Sequence, residues 1–78
     1  MTDLLKNTLR HVLIGRWIPI ERDPRGISIN HARWMLENLP EENDKAGRWL
    51  GYAQALMVVH GIMSLEEMRD VTRECIDG

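Results

Sequence analysis

Residues 45–75 read KAGRWLGYAQALMVVHGIMSLEEMRDVTREC, and two helices are written into them. In the first part Ala46, Trp49, Leu50, Ala53, Leu56 and Met57 recur at intervals of three and four, the spacing of one helix face. Val58 and Val59 prolong the apolar run, which predicts the most buried, central helix of the fold. Gly47 and Gly51 lie one turn apart on one side of it and predict a close crossing with another helix. Gly61 supplies the stop, because glycine adopts the left-handed conformation that ends a helix without a Cβ penalty. Ser64-Leu65-Glu66-Glu67 is then a capping box, in which the serine hydroxyl and the glutamate carboxylate each satisfy the other residue's free backbone N–H. The helix it opens has an inner stripe of Leu65, Met68, Val71, Thr72 and Cys75. Its outer face carries Glu66, Glu67, Arg69, Asp70, Arg73 and Glu74.

Outward from this pair, Pro40 with Glu41, Glu42 and Asp44 suits the start of the central helix, where the dipole favours anions, and sets it at 41–60. Pro40 also ends the helix before it, because the residue preceding a proline is pushed out of the helical region. That helix, 29–39, is capped by Ser28 or Asn30 and carries Ala32, Trp34, Met35 and Leu36. A first helix over 2–14 has Thr2 as cap, Asp3 in its first turn, Leu5, Leu9, Val12 and Leu13 at helical spacing, and Gly15 as its stop. Residues 16–27, RWIPIERDPRGI, break the pattern with Pro19 and Pro24. Asp23-Pro24-Arg25-Gly26 has the residue preferences of a type I turn. The alternating isoleucines there would suit a short hairpin, but a lone two-stranded ribbon is marginal. An ordered loop pinned by Trp17 and the isoleucines is the favoured reading. The whole is all-α: a compact four-helix bundle forming one domain over 1–78, with the fourth helix at 64–76.

The 78 residues are 44% hydrophobic and 28% charged, too few for a doubly wound nucleotide-binding fold or a barrel. At ~70–80 residues a single core contributes only a few kcal/mol. Cys75 is the only cysteine, so no internal disulfide supplements it. Either the 16–27 loop folds back and closes the core, or a partner closes it.

The net charge of −2 makes no global case for nucleic acid or an anionic membrane. Residues 1–39 carry six Lys/Arg against four Asp/Glu, while residues 40–78 carry four against eight. The two halves can pair head to tail between copies, or be two solvated faces. No signal peptide is visible, and the most apolar stretch, 50–63, is too short and too interrupted to span a membrane. A cytoplasmic protein with Cys75 reduced is expected.

No catalytic constellation is apparent. Cys75 lies on an inner stripe and reads as a small hydrophobe, not a nucleophile. His11, His31 and His60 stand at no metal-ligand spacing, so neither a metal nor another cofactor is expected. Trp17, Trp34 and Trp49 each follow an arginine, and Trp and Arg dominate binding hot spots. Core packing accounts for most such tryptophans, with at least one expected to be exposed. The turn His60-Gly61-Ile62-Met63 joins two helices as a helix-turn-helix does. The following helix is net acidic on its outer side and would be repelled by phosphate, which disfavours DNA. The basic N-terminal half leaves a small DNA-associated regulator as the alternative. The favoured reading is a non-enzymatic, stoichiometric protein binder. Its candidate binding residues are Glu66, Glu67, Asp70, Arg69 and Arg73 on the last helix and Trp17, Arg22 and Arg25 in the loop.

Arg48, Trp49, Gly51 and Gln54, followed by Gly61, Ile62, Ser64, Leu65, Glu66, Glu67, Met68 and Arg69, resemble a pattern in short accessory proteins of tailed phages and prophages, R-W-x-G-x-x-Q then G-I-x-S-L-E-E-M-R. His31, Trp34 and Met35 are similar to its upstream part. No catalytic residues transfer with the resemblance. What it implies is context: a protein of the host cytoplasm that binds a host protein or complex, such as a defence system, and inhibits or redirects it. A second copy of the chain is a further partner under the same reading.

Overall fold

The computed structural model describes residues 2–77, with side chains described for 3–76. It contains four helices, α1 (Thr2–Gly15), α2 (Ile29–Glu37), α3 (Asn43–Val59) and α4 (Leu65–Asp77), and no strand among the described residues. The all-α four-helix bundle is the fold, with 16–27 an ordered loop. The cap assigned to the Thr2 side chain lies outside the described residues.

The core is built from one stripe per helix. Leu5, Leu9 and Leu13 come from α1, Ala32 and Leu36 from α2, Leu50, Ala53, Leu56 and Met57 from α3, and Met68 from α4. Both α1 and α3 touch every other helix, whereas α2 and α4 do not touch. α4 fully buries Met68 alone and leaves Val71, Thr72 and Cys75 half-buried. Cys75 Sγ lies 3.6 Å from Thr8 Oγ1.

Helix ends depart from the sequence expectation by one or two residues, each for a local reason. α2 stops at Glu37 because Asn38 takes over: its N–H reaches Met35 O and its side-chain amide reaches Trp34 O at 2.9 Å. α3 starts at Asn43, since Glu42 is extended (φ −65, ψ 123) and makes no side-chain cap. α2 is capped by Ser28, whose hydroxyl accepts from His31 N–H at 3.1 Å. The capping box at α4 forms in both directions, with Glu67 N–H donating to Ser64 Oγ at 3.0 Å and Ser64 N–H to Glu67 Oε1 at 3.1 Å.

Two helices end in the same hydrogen-bonded device with different residues at its critical point. After α3, Gly61 is left-handed at φ 73, Gly61 N–H donates to Val58 O, and Ile62 N–H donates to Met57 O. This is a Schellman motif with glycine at its C′ position. After α1, Trp17 N–H donates to Ile14 O and Ile18 N–H to Leu13 O, the same 5→2 and 6→1 pattern. There Trp17, at φ 61, takes the left-handed position. Gly15 is therefore not the stop, and the helix runs through it. Ile18 packs onto the core at the place where such motifs make their apolar contact.

The loop is not pinned by Trp17, whose ring stands in solvent, nor by Ile20 and Ile27, which are exposed. Its backbone is held by side chains of the helices. Arg33 Nη1 donates to Ile18 O at 2.7 Å, His60 Nε2 to Ile27 O at 2.7 Å, and the Tyr52 hydroxyl to Gly26 O. Asp23 N–H donates to His31 Nδ1 at 3.1 Å. The type I turn forms, with Gly26 N–H on Asp23 O at 2.9 Å and Gly26 left-handed at φ 68. The Asp23 carboxylate accepts from the N–H groups of Arg25, Ile27 and Ser28. Those N–H groups, Arg25's foremost, hold the carboxyl below its ordinary range. The chain's own polar groups fasten the loop.

Candidate functional site

The sequence-derived binding residues fall in three separate places. α4 is three-sided. At 3.6 residues per turn, Met68, Val71, Thr72 and Cys75 face the bundle, and Glu66, Asp70 and Glu74 form an acidic side in solvent. Leu65, Arg69, Arg73 and Ile76 make a third side. Glu67 is engaged in the capping box, and its carboxyl is held below the ordinary range by the Ser64 N–H first, then the Ser64 hydroxyl and the nearby Arg16 charge. Arg69 and Arg73 are exposed, and neither forms an ion pair among the described residues.

The third side of α4 borders a groove of about 560 Å³ against α3, lined by Val58, Val59, Leu65 and Met68 with Arg69 and Arg73 at its edge. Polar atoms within it are satisfied locally. Gln54 Nε2 donates to Thr72 Oγ1 at 2.8 Å, and Thr72 Oγ1 donates to Met68 O at 2.7 Å. Two residues read as interior lie outside the core here. Leu65 is 57% exposed and Val59 78%. A 17-residue helix covered on one stripe leaves the remainder of an all-round apolar run in water, and Leu65, at the first position of α4, has no facing helix. Gly47 and Gly51 are corrected as well. Nothing lies within 4 Å of where their Cβ atoms would stand, so no helix crosses there. Both sit on the open side of α3, in line with Ala55.

At the other end of α1, Trp17 is 91% exposed. Ile14, Ile18, Pro19 and the Arg33 side chain form a shallow apolar pocket beside it. Arg16, its neighbour, donates from Nη2 to Ile62 O at 3.3 Å and so ties this corner to the α3–α4 turn.

Arg22 and Arg25 belong to the loop, and Arg22 has an internal partner. Its guanidinium lies 5.5 Å from the Trp34 ring centroid. Trp34 in turn stacks on His31 at 5.4 Å and meets Trp49 at 5.8 Å. The half-buried Trp34 and Trp49 are thus packing residues. The other bases of the N-terminal half are largely engaged too. Arg10 and Arg33 share Glu37 Oε2 at 2.8 and 3.1 Å, and Lys6 lies 3.9 Å from Asp3. Arg10, then Arg33, hold the Glu37 carboxyl below its ordinary range against the opposing effect of burial. Arg25 makes no ion pair among the described residues and is exposed.

Leu65 and Val59 were not recognisable as surface residues from their spacing. Among the described residues, no three His, Cys, Asp or Glu side chains are placed to hold a metal ion. No described helix is long and apolar enough to cross a membrane. Set against protein-family models, curated proteins and solved structures, the chain matches none.

Proposed function

We propose that this chain works without catalysis, by stoichiometric association with another protein, and that Trp17 is the anchor of that contact. The observation that carries the reading is a large indole kept 91% exposed at a left-handed backbone position. Glycine serves the same position after α3. A non-glycine residue there costs roughly 1–2 kcal/mol, and the ring gains almost no burial to offset it. Strain retained without intramolecular return is a signature of function. Trp is among the residues that dominate interface energetics once desolvated. Ile14, Ile18 and Pro19 supply an apolar surround for it.

The acidic side of α4 suits encounter with a basic surface. The phage-type resemblance of 45–73 supports a host protein or complex as the target, to be inhibited or redirected, in the cytoplasm of the host. Internal engagement of Arg10, Arg16, Arg22 and Arg33 weighs against the alternative of a DNA-associated regulator built on the basic N-terminal half.

The test is a tagged capture from host extract with wild type, Trp17→Gly and Glu66→Lys/Asp70→Lys. Glu67 is left intact so that the capping box survives. Loss of a specific captured protein with Trp17→Gly is expected; with the α4 variant capture should weaken and lose the salt sensitivity of wild type. Capture unchanged by Trp17→Gly would remove the anchor. Binding of random duplex that falls steeply with salt would instead establish the DNA reading.

A further inference from the structure

The Trp17 ring has no burial to hold it, so its display depends on how the backbone beneath it is fastened. From that fastening we infer that Arg33 is the positioning residue of the Trp17 contact, bracing the left-handed turn from α2. This rests on the reading of Trp17 as the anchor of a partner contact. The turn's local bonds run from Trp17 N–H to Ile14 O at 3.0 Å and from Ile18 N–H to Leu13 O at 3.1 Å. Glycine takes such a position freely, whereas a residue with a Cβ has to be held there against strain. The peptide that follows offers one handle. Pro19 has no N–H, so the Ile18 carbonyl is the only polar group of the Ile18–Pro19 bond. Arg33 Nη1 donates to that carbonyl at 2.7 Å.

The brace is itself anchored. The Arg33 side chain is 13% exposed, and its Nε donates to Glu37 Oε2 at 3.1 Å. Glu37 Oε2 also accepts from Arg10 Nε at 2.8 Å, and Arg10 Nη1 donates to Asn7 Oδ1 at 3.2 Å. The line of bonds runs from the middle of α1 through α2 and back to the turn that ends α1. Charge-assisted bonds are stronger than neutral ones. The planar guanidinium also fixes its two acceptors relative to each other, which a lysine ammonium does not do. Arg16 Nη2 reaches Ile62 O at a longer 3.3 Å, from an exposed side chain that forms no ion pair among the described residues, and is the lesser tie. Arg33 also lines the pocket beside Trp17, with Nε and Nη1 both engaged internally. A turn set in advance spares a partner the ordering cost that a loose one would impose on association. Affinity should therefore fall when Arg33 is replaced, although the indole remains.

Amide hydrogen exchange of the full chain, followed by NMR, tests the brace without a partner. The variant is Arg33→Met, which keeps an unbranched stem and a good helix former. Exchange at Trp17 and Ile18 should accelerate about tenfold, the factor for loss of one hydrogen bond to a charged group. Gly61 and Ile62, which close the same motif after α3 and do not touch Arg33, should keep their rates. If Arg33 serves global stability alone, the slowest core amides accelerate while Trp17 and Ile18, opening locally, do not; that result overturns the inference. Should Arg33→Met fail to fold, the wild type decides. Rotation about the Arg33 Nε–Cζ bond should be at least about tenfold slower than in the exposed Arg69 and Arg73, because bonds at Nη1 and Nε must break first. Rotation as free as theirs overturns the inference. In the capture assay Arg33→Met should weaken binding about tenfold, the same lost bond now counted in affinity. Capture lost with Trp17→Gly but unchanged with Arg33→Met overturns the positioning role and leaves the anchor standing. Capture unchanged by Trp17→Gly removes the anchor, while the exchange rates still decide whether Arg33 holds the turn, so the two readings fail separately.

Discussion

Position 17 offers a measurement in which glycine and alanine should exchange their usual order. In a helix interior glycine is less stable than alanine by roughly 1 kcal/mol. At Trp17 the backbone is left-handed, at φ 61, and its N–H and that of Ile18 close the Schellman bonds to Ile14 O and Leu13 O. Both Trp17→Gly and Trp17→Ala remove the same ring. With about a tenth of a 150–250 Å² side chain buried, that loss is only about 0.5 kcal/mol. The two variants then differ in one respect, the Cβ. Its removal relieves roughly 1–2 kcal/mol of left-handed strain. Against this, the greater freedom of glycine in the unfolded chain costs about 0.4–1 kcal/mol. Trp17→Gly should therefore be about 1 kcal/mol more stable than Trp17→Ala, a Tm difference of about 4–8 °C for a chain of this size. Relative to wild type the glycine variant should be equal or slightly stabilised. Gly61→Ala is the mirror experiment: at φ 73 with open space around it, the alanine should cost about 1 kcal/mol. Thermal melts with parallel urea titrations decide the matter. If Trp17→Ala equals or exceeds Trp17→Gly in stability, the residue is not left-handed, and the argument that a strained indole is retained for binding collapses.

Other outcomes follow from the same structure. Gly47→Ala and Gly51→Ala fill open space on a regular helix and should each raise stability by about 0.8–1 kcal/mol, read as a higher urea midpoint at unchanged slope. Ser64→Ala removes the cap of α4 and should cost about 1 kcal/mol in the same titration. Glu37 is lowered in the folded protein by Arg10 and Arg33, so the unfolded chain binds its proton more readily. Its contribution is complete above the ordinary glutamate value of about 4.3 and is lost as pH falls through the lower native value. Glu37→Gln should therefore flatten the acid limb of a stability-versus-pH curve, and an unchanged limb would contradict the Arg10–Glu37–Arg33 arrangement. Leu9→Ala, at a fully buried site in the core cluster, should cost about 2–5 kcal/mol, enough to leave so small a domain largely unfolded at room temperature.

The helices and their caps were legible because they depend on neighbours in the chain. The Ser64–Glu67 box, the Ser28 cap, the stop at Gly61 and the Asp23–Gly26 turn all involve residues within five positions of one another, and all four form. The apolar spacing of α1 to α4 likewise names the core, with Leu5, Leu9, Leu13, Leu36, Leu50, Met57 and Met68 buried as read. Periodicity, however, reports that a residue can face inward, not that another helix is there to meet it. Val59, Leu65, Gly47 and Gly51 fit an inward reading and stand in the open, because α4 covers only part of α3 and no helix lies over the glycine side. The groove, with Arg69 and Arg73 at its edge, exists through that incomplete coverage. Trp17 shows the same boundary within one turn. Gly15 and the prolines that follow it, Pro19 and Pro24, announce a helix end near this point. Which residue becomes left-handed was settled by long-range demands: Ile18 reaching the core, Arg33 holding its carbonyl and Arg16 fastened to Ile62. Local chemistry is short-ranged and so is written in order along the chain; exposure is a property of what packs where, and it emerges only when distant segments share one volume.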